Sequence, residues 1–144
     1  MKLKIKLIDT TLPTPSYQTK GSAAFDLYSR KTMRIKPFIA TVVPLNVVIK
    51  IPKGYVLLLA LRSSVPLRKS LFIPNGVGVI DQDYHGDEDE IGLEVMNAMK
   101  NTITVEKGER IAQALIIPIE KVTFQVVGTI KNKSRGGFGS TGRK

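Results

Sequence analysis

An all-β domain with at most one short helix is the fold class that these 144 residues predict, and three observations carry the expectation. Apolar and polar residues alternate along several short runs, and Pro and Gly interrupt those runs at short intervals. The core material is almost wholly aliphatic: 42% of the chain is hydrophobic, yet only 6% is aromatic and Trp is absent. Aliphatic, β-branched side chains suit a pleated surface, and many short strands joined by regular turns make a barrel or a sandwich. The length suits one hydrophobic core.

The first run, Lys2 to Ile8, sets Leu3, Ile5 and Leu7 on one side and Lys2, Lys4 and Lys6 on the other. That is the period of a half-buried strand. The same period returns at Val43, Leu45, Val47, Ile49 and Ile51. Further strands are expected at Tyr55 to Leu61, Ile91 to Met96, Thr102 to Val105, Ile111 to Ile119 and Val122 to Ile130. Between them, Pro37, Pro44, Pro52-Lys53-Gly54, Pro74-Asn75-Gly76 and Lys107-Gly108 mark turns or sheet edges. A short helix should start near Ser63 or Ser64, where a serine can cap and Pro66 falls in the first turn. Residues 1–130 therefore form one β domain. The stretch from Lys131 to Lys144 has Phe138 as its one apolar anchor, cannot pack a core, and should be a mobile arm.

Composition narrows the chemistry. With no cysteine and His85 as the only histidine, disulfides, thiolate nucleophiles, Cys-ligated zinc and multi-histidine metal sites are excluded. Any metal must be held by oxygen, which points to Mg²⁺ or a similar hard cation bound partly through a ligand's own phosphates. Twenty-two Lys and Arg against twelve Asp and Glu give a formal charge of +10, which attracts polyanions, nucleotides and nucleic acids alike. No apolar run approaches the ~20 residues of a membrane helix. We therefore expect a soluble, intracellular, cytoplasmic protein that uses no membrane.

Four segments could carry chemistry. Asp81-Gln82-Asp83-Tyr84 ends a glycine-rich, strand-like stretch from Asn75 to Ile80. It reads either as a hairpin that meets a ligand with main-chain groups or as a surface turn with solvated aspartates. Gly136 to Gly142 offers backbone N–H groups, the Ser140 and Thr141 hydroxyls and flanking Arg135, Arg143 and Lys144. A polyphosphate would suit it, and Phe138 suggests closure over a flat ligand; the alternative is a flexible basic tail. Arg62-Ser63-Ser64 puts a cation and two hydroxyls at a helix start, fit for a phosphate oxygen or for plain capping. Asp26, between Phe25 and Leu27, is either a ligand-facing acid or a salt-bridged structural one.

Together with Gly108-Glu109-Arg110-Ile111-Ala112-Gln113, these segments fall in the order and approximate spacing of the five motifs of the trimeric dUTPase family, which the chain resembles from residue 21 to 142. The resemblance implies a distorted jelly-roll or β-barrel of the β-clip type, assembled as a homotrimer with sites at subunit interfaces and the arm of one subunit closing a site built by the other two. It implies hydrolysis of dUTP to dUMP and pyrophosphate, which keeps uracil out of DNA and supplies dUMP for dTTP synthesis. By this similarity Asp81 is the general base, and Asn75 with the main chain of Gly78, Val79 and Ile80 reads uracil. Tyr84 packs under the deoxyribose, while Arg62, Ser63, Ser64 and Gln113 hold the phosphates. Phe138 stacks on uracil, Ser140 and Thr141 close on the outer phosphates, and Asp26 meets Mg²⁺ through its waters.

Some positions depart from the family pattern: Ala24 for a glycine, Ser64-Val65-Pro66 for Gly-Leu-Ala, His85 where Arg is common, and an acidic insertion at Asp87 to Asp89. Either Lys133 or Arg135 could meet the γ-phosphate. Glu94, in Ile91 to Asn97, resembles the hallmark glutamate of dCTP deaminases on the same fold, so deamination, alone or combined with hydrolysis, is the main rival. The Phe-Gly-Ser-Thr-Gly tail argues against it. A basic nucleic-acid-binding module is the other rival, but Phe and Tyr are scattered rather than ranged along a groove, and no specific nucleic-acid partner is expected.

Overall fold

The computed structural model describes residues 1–137. Eleven strands and one helix follow in order among the described residues: β1 (Lys4–Leu7), β2 (Phe25–Tyr28), β3 (Met33–Ile35), β4 (Thr41–Pro44), β5 (Val47–Lys50), β6 (Tyr55–Leu61), α1 (Ser64–Lys69), β7 (Leu71–Phe72), β8 (Gly78–Ile80), β9 (Gly92–Asn97), β10 (Ile103–Val105) and β11 (Arg110–Pro118). All ladders are antiparallel, in sheets ordered β2-β11-β6-β8, β4-β9-β7, β1-β5 and β10-β3. The all-β expectation holds, but these sheets pack around one core without a ladder that closes into a barrel.

Strand alternation fills that core. On β9, Leu93 and Val95 are buried while Glu94 between them is exposed. On β6, Val56, Leu57 and Leu59 are buried, and Leu57 and Leu59 join Ile111, Ala112 and Ala114 of β11 in one apolar cluster. Ile35 and Ile49 bring the two remaining sheets to the same centre, where Leu27 and Val43 also lie.

The run from Val43 to Ile51 is broken rather than continuous, because Asn46 adopts φ 67° and divides β4 from β5. Asn tolerates this left-handed region better than most residues. Its buried side chain uses the bend: Oδ1 accepts from the Asp9 N–H at 2.7 Å, and Nδ2 donates to the Asp9 carbonyl at 3.0 Å. The Asn46 N–H donates to Glu90 Oε1, and Glu90 takes a bidentate ion pair from Arg30, both contacts 2.7 Å long. This pair holds Arg30 charged beyond its ordinary range. Asp9 in turn binds Lys107 at 2.6 Å and the Thr11 hydroxyl, and the two hold its carboxyl well below the usual carboxylate range.

Two expectations need correction. Val122 to Ile130 forms no strand: Val122, Phe124, Val126 and Ile130 are 65%, 92%, 97% and 76% exposed. Its alternation is real, but among the described residues it pairs with no strand. The helix starts where expected, yet Ser63 has helical angles (φ −53°, ψ −31°) and makes no side-chain cap, so its hydroxyl is not used in capping. Strands β2, β3 and β7 were not foreseen; β2 is buried at three successive residues and so shows no alternation.

Candidate active site

The glycine-rich hairpin positions Asp81. Gly76 turns the chain at φ 84°, where a side chain would be strained, and its N–H donates to the Ile73 carbonyl at 3.0 Å. At Gly78 an added Cβ would lie 3.0 Å from Leu59 Cβ, so a side chain here would force β8 and β6 to give by a few tenths of an ångström. The strand then delivers Asp81 at its end, exposed, beside a cavity of about 250 Å³ lined by Tyr55, Gln82 and Lys121. Gln82 fixes this corner by accepting the Gly54 N–H at 3.2 Å.

Asn75 and Val79 are exposed, and Gly78 and Ile80 are half-buried, along the same hairpin. Tyr84 is 42% exposed and its hydroxyl donates to the Glu90 carbonyl at 3.2 Å. His85 is not a free surface group: Nδ1 lies 2.8 Å from the Gln82 carbonyl, a contact that needs the proton on Nδ1. The insertion is an exposed acidic turn, closed by the Gly86 N–H on Asp89 Oδ2 and tied to β1 by Lys6 Nζ on the Asp87 carbonyl at 2.8 Å.

A second centre lies at the other end of β6. Asp26 on β2 is 5% exposed, and its carboxylate carries two arginines: Arg62 Nε donates to Oδ1 at 3.0 Å and Arg110 Nη1 to Oδ2 at 3.3 Å. Arg110 also donates to Gln18 Oε1. Gln113 stands opposite Asp26 in the β2–β11 register and donates from Nε2 to the Leu61 carbonyl at 2.9 Å, while its Oε1 accepts from no donor among the described residues. Asp26, Arg62, Ser63 and Gln113 line one cavity of about 370 Å³, and Arg62, Ser64, Arg68 and Arg110 line an adjoining one of about 210 Å³. So Asp26 is salt-bridged, yet it also faces a cavity. Sequence reading gave no role to Arg110 or Gln18; the spacing around Arg110 was visible, but its direction depends on a bulge in β11 that alternation does not foretell.

The two centres do not meet within one chain. Ile80 pairs with Leu57, so Asp81 falls level with Val56, while Arg62 follows Leu61 at the opposite end of the strand. The five residue steps from Leu57 to Arg62 alone span roughly 17 Å. Phe138, Ser140 and Thr141 lie outside the described residues, and Lys133 and Arg135 are exposed. Glu94 sits across from Val42 on the separate β4-β9-β7 sheet and is exposed, so it joins neither centre. No three acidic or histidine side chains converge as a metal cage among the described residues. No helix among them is long and apolar enough to cross a membrane.

An all-β fold with an exposed carboxylate on a glycine hairpin, and a separate arginine-rich polar cavity, defines a class: a β protein with a cavity whose charge suits phosphate-bearing ligands. The comparisons narrow it. The dUTPase family model matches residues 10–142. The chain is 37% identical to the deoxyuridine 5'-triphosphate nucleotidohydrolase of Hydrogenobaculum sp. (strain Y04AAS1), over 100% of both chains, and 36% identical to that of Dictyoglomus turgidum, over 99% of each. Among solved structures, a mutant dUTPase of Staphylococcus bacteriophage 80alpha with dUpNHpp superposes with a TM-score of 0.84 at 29% identity, covering 98% of both chains. A phage phi11 dUTPase mutant, described with a structural Mg(II) ion, gives 0.80 at 25% identity over 92% of this chain and 100% of that one. The chain belongs to the dUTPase family.

Proposed function

We propose that this chain hydrolyses dUTP to dUMP and pyrophosphate at sites shared between copies of itself, with Asp81 from one copy and the Arg62 centre from another. The observation that carries the shared site is the separation of the two centres along β6. A general base works within hydrogen-bond reach of the proton it takes, and a span of ~17 Å along one strand is too long for Asp81 and Arg62 of one chain to flank the same phosphorus. Large apolar side chains left exposed, among them Phe38, Val42, Leu67 and Phe72, together with the unpaired Val122 to Ile130 segment, support assembly. A homotrimer with residues 131–144 closing a neighbour's site is the arrangement that the family resemblance favours.

At such a site Asp81 takes a proton from the water that attacks the α-phosphorus, and pyrophosphate leaves in line. Arg62, Ser63, Ser64 and Gln113 hold the phosphate oxygens, so the protein supplies position and charge complementarity rather than a covalent intermediate. Asn75 and the main chain from Gly78 to Ile80 read the uracil edge. Tyr84, already fixed through its hydroxyl to the Glu90 carbonyl, supports the sugar. Phe138, Ser140 and Thr141 complete the enclosure. A Mg²⁺ cofactor fits the donor set, because that ion keeps several waters and binds through few carboxylates plus substrate phosphates. When bound it neutralises phosphate charge. Asp26 is the residue that would meet its waters, since each carboxylate oxygen can accept beyond its arginine bond. The chain acts on the cytoplasmic nucleotide pool.

A hydrolysis panel with dUTP, dTTP, UTP and dCTP tests this reading. Rapid turnover of dUTP alone is expected; comparable turnover of dTTP or UTP would overturn the roles given to the hairpin and Tyr84.

A further inference from the structure

Arg110 is held in a way that its own strand does not require. Along β11, Gln113 is half-buried, Ala112 is buried, and strict alternation would turn Ile111 outward and Arg110 into the core. The register instead shifts between Arg110 and Ala112, so Arg110 stands opposite Tyr28 and Ala112 opposite Leu27. The extra residue makes a bulge, which lets Ile111 and Ala112 both enter the core and turns Arg110 out on the side of Asp26. Bulges commonly re-aim a side chain in this manner.

Once re-aimed, Arg110 is the far end of a short chain of contacts. Gln18 Oε1 and Asp26 Oδ2 both accept from Arg110 Nη1, and the opposite oxygen of Asp26 accepts Arg62 Nε at 3.0 Å. The carbonyl of Arg110 accepts Arg62 Nη1 at 3.5 Å. Arg62 is thus held at Nε and, more weakly, at Nη1, and its Nη2 group has no partner among the described residues, so it can meet a phosphate oxygen. Without Arg110, Asp26 would keep only Arg62 as a charged partner, and Arg62 could swing with it.

We propose that Arg110 is a positioning residue for dUTP hydrolysis: through Asp26 it fixes the Arg62 guanidinium in the orientation that receives the phosphate chain. The proposal rests on the reading of Arg62 as a phosphate contact.

A double-mutant cycle tests it. Steady-state kinetics with dUTP are measured for the full-length protein, Arg62→Gln, Arg110→Gln and the double variant, with thermal unfolding of each. Arg110→Gln is expected to lose about tenfold in kcat/KM in the parent background and less than about twofold in the Arg62→Gln background, because the residue it acts through is gone. Arg110→Lys should recover part of the loss, since one ammonium can still reach Asp26. Equal losses in both backgrounds, or no loss in the parent, would overturn the proposal. If Arg62→Gln itself keeps full kcat/KM, the phosphate reading of Arg62 fails, a result distinct from independent losses at the two arginines. Should Arg110→Gln fold poorly, Arg110→Met, which also removes the charge, takes its place in the cycle with the same criterion.

Discussion

Single residues divide here into those whose surroundings explain them and those that wait for a ligand. Asp81 is exposed and none of the described side chains binds its carboxylate, so its replacement should disturb shape very little. Asp81→Asn is expected to reduce kcat by roughly 10²- to 10⁴-fold, the usual contribution of a general base, with unchanged thermal unfolding. Near-normal kcat would remove Asp81 from that role. Glu94 is the opposite case: it fits the deaminase pattern in sequence, but it projects from β9 across from Val42, far in the topology from β8. The parent should release no ammonia from dCTP, and Glu94→Gln should hydrolyse dUTP within about tenfold of the parent, roughly 1.4 kcal/mol in barrier. Ammonia release that disappears in Glu94→Gln would make the chain a deaminase as well.

At the scale of elements, the loop network around Asn46 joins β4, β5 and the segment before β9 through one carboxylate. Glu90 is 15% exposed at its side chain and satisfies both Arg30 and the Asn46 N–H. Glu90→Gln would leave Arg30 without its charged partner and should lower stability by about 1–3 kcal/mol, read from urea unfolding; a change under about 0.5 kcal/mol is the range of ordinary surface substitutions and would contradict it. The C-terminal arm makes the reverse prediction. Deleting residues from Gly136 onward should preserve thermal unfolding and assembly but remove most dUTP turnover, because the arm supplies Phe138, Ser140 and Thr141 rather than core. Normal turnover, or failure to fold, would argue against a closing arm.

These elements also show why some of the fold was legible and some was not. Strands with one wet face, such as β9 with Glu94 exposed between Leu93 and Val95, announce themselves by alternation. Strand β2 does not, since Phe25, Asp26 and Leu27 are all buried and the acid is concealed by its arginines. The bend at Asn46 was hidden because apolar residues continue on both sides of it. Val122 to Ile130 showed a strand period that one chain cannot use. For the site, motif order marked Asp81, Arg62 and Gln113, whereas Arg110 could be found only by register, because a single bulged residue decides which way it points.

At the scale of the whole molecule, one chain carries Asp81 at one end of β6 and Arg62 at the other, and in the proposed function these are halves of different sites. A closed, symmetric assembly of identical chains can join such halves around every interface. Subunit complementation measures this directly. Asp81→Asn and Arg62→Gln proteins are each prepared, shown to be folded and inactive with dUTP, then mixed in equal amounts, unfolded together and refolded, with the parent treated alike. If Asp81 and Arg62 of a working site come from different copies, random assembly restores about a quarter of the parent rate, since each site independently draws one intact half from each variant. If both residues serve the same site from the same chain, every site in the mixture carries one defect, and the mixture stays as inactive as its components.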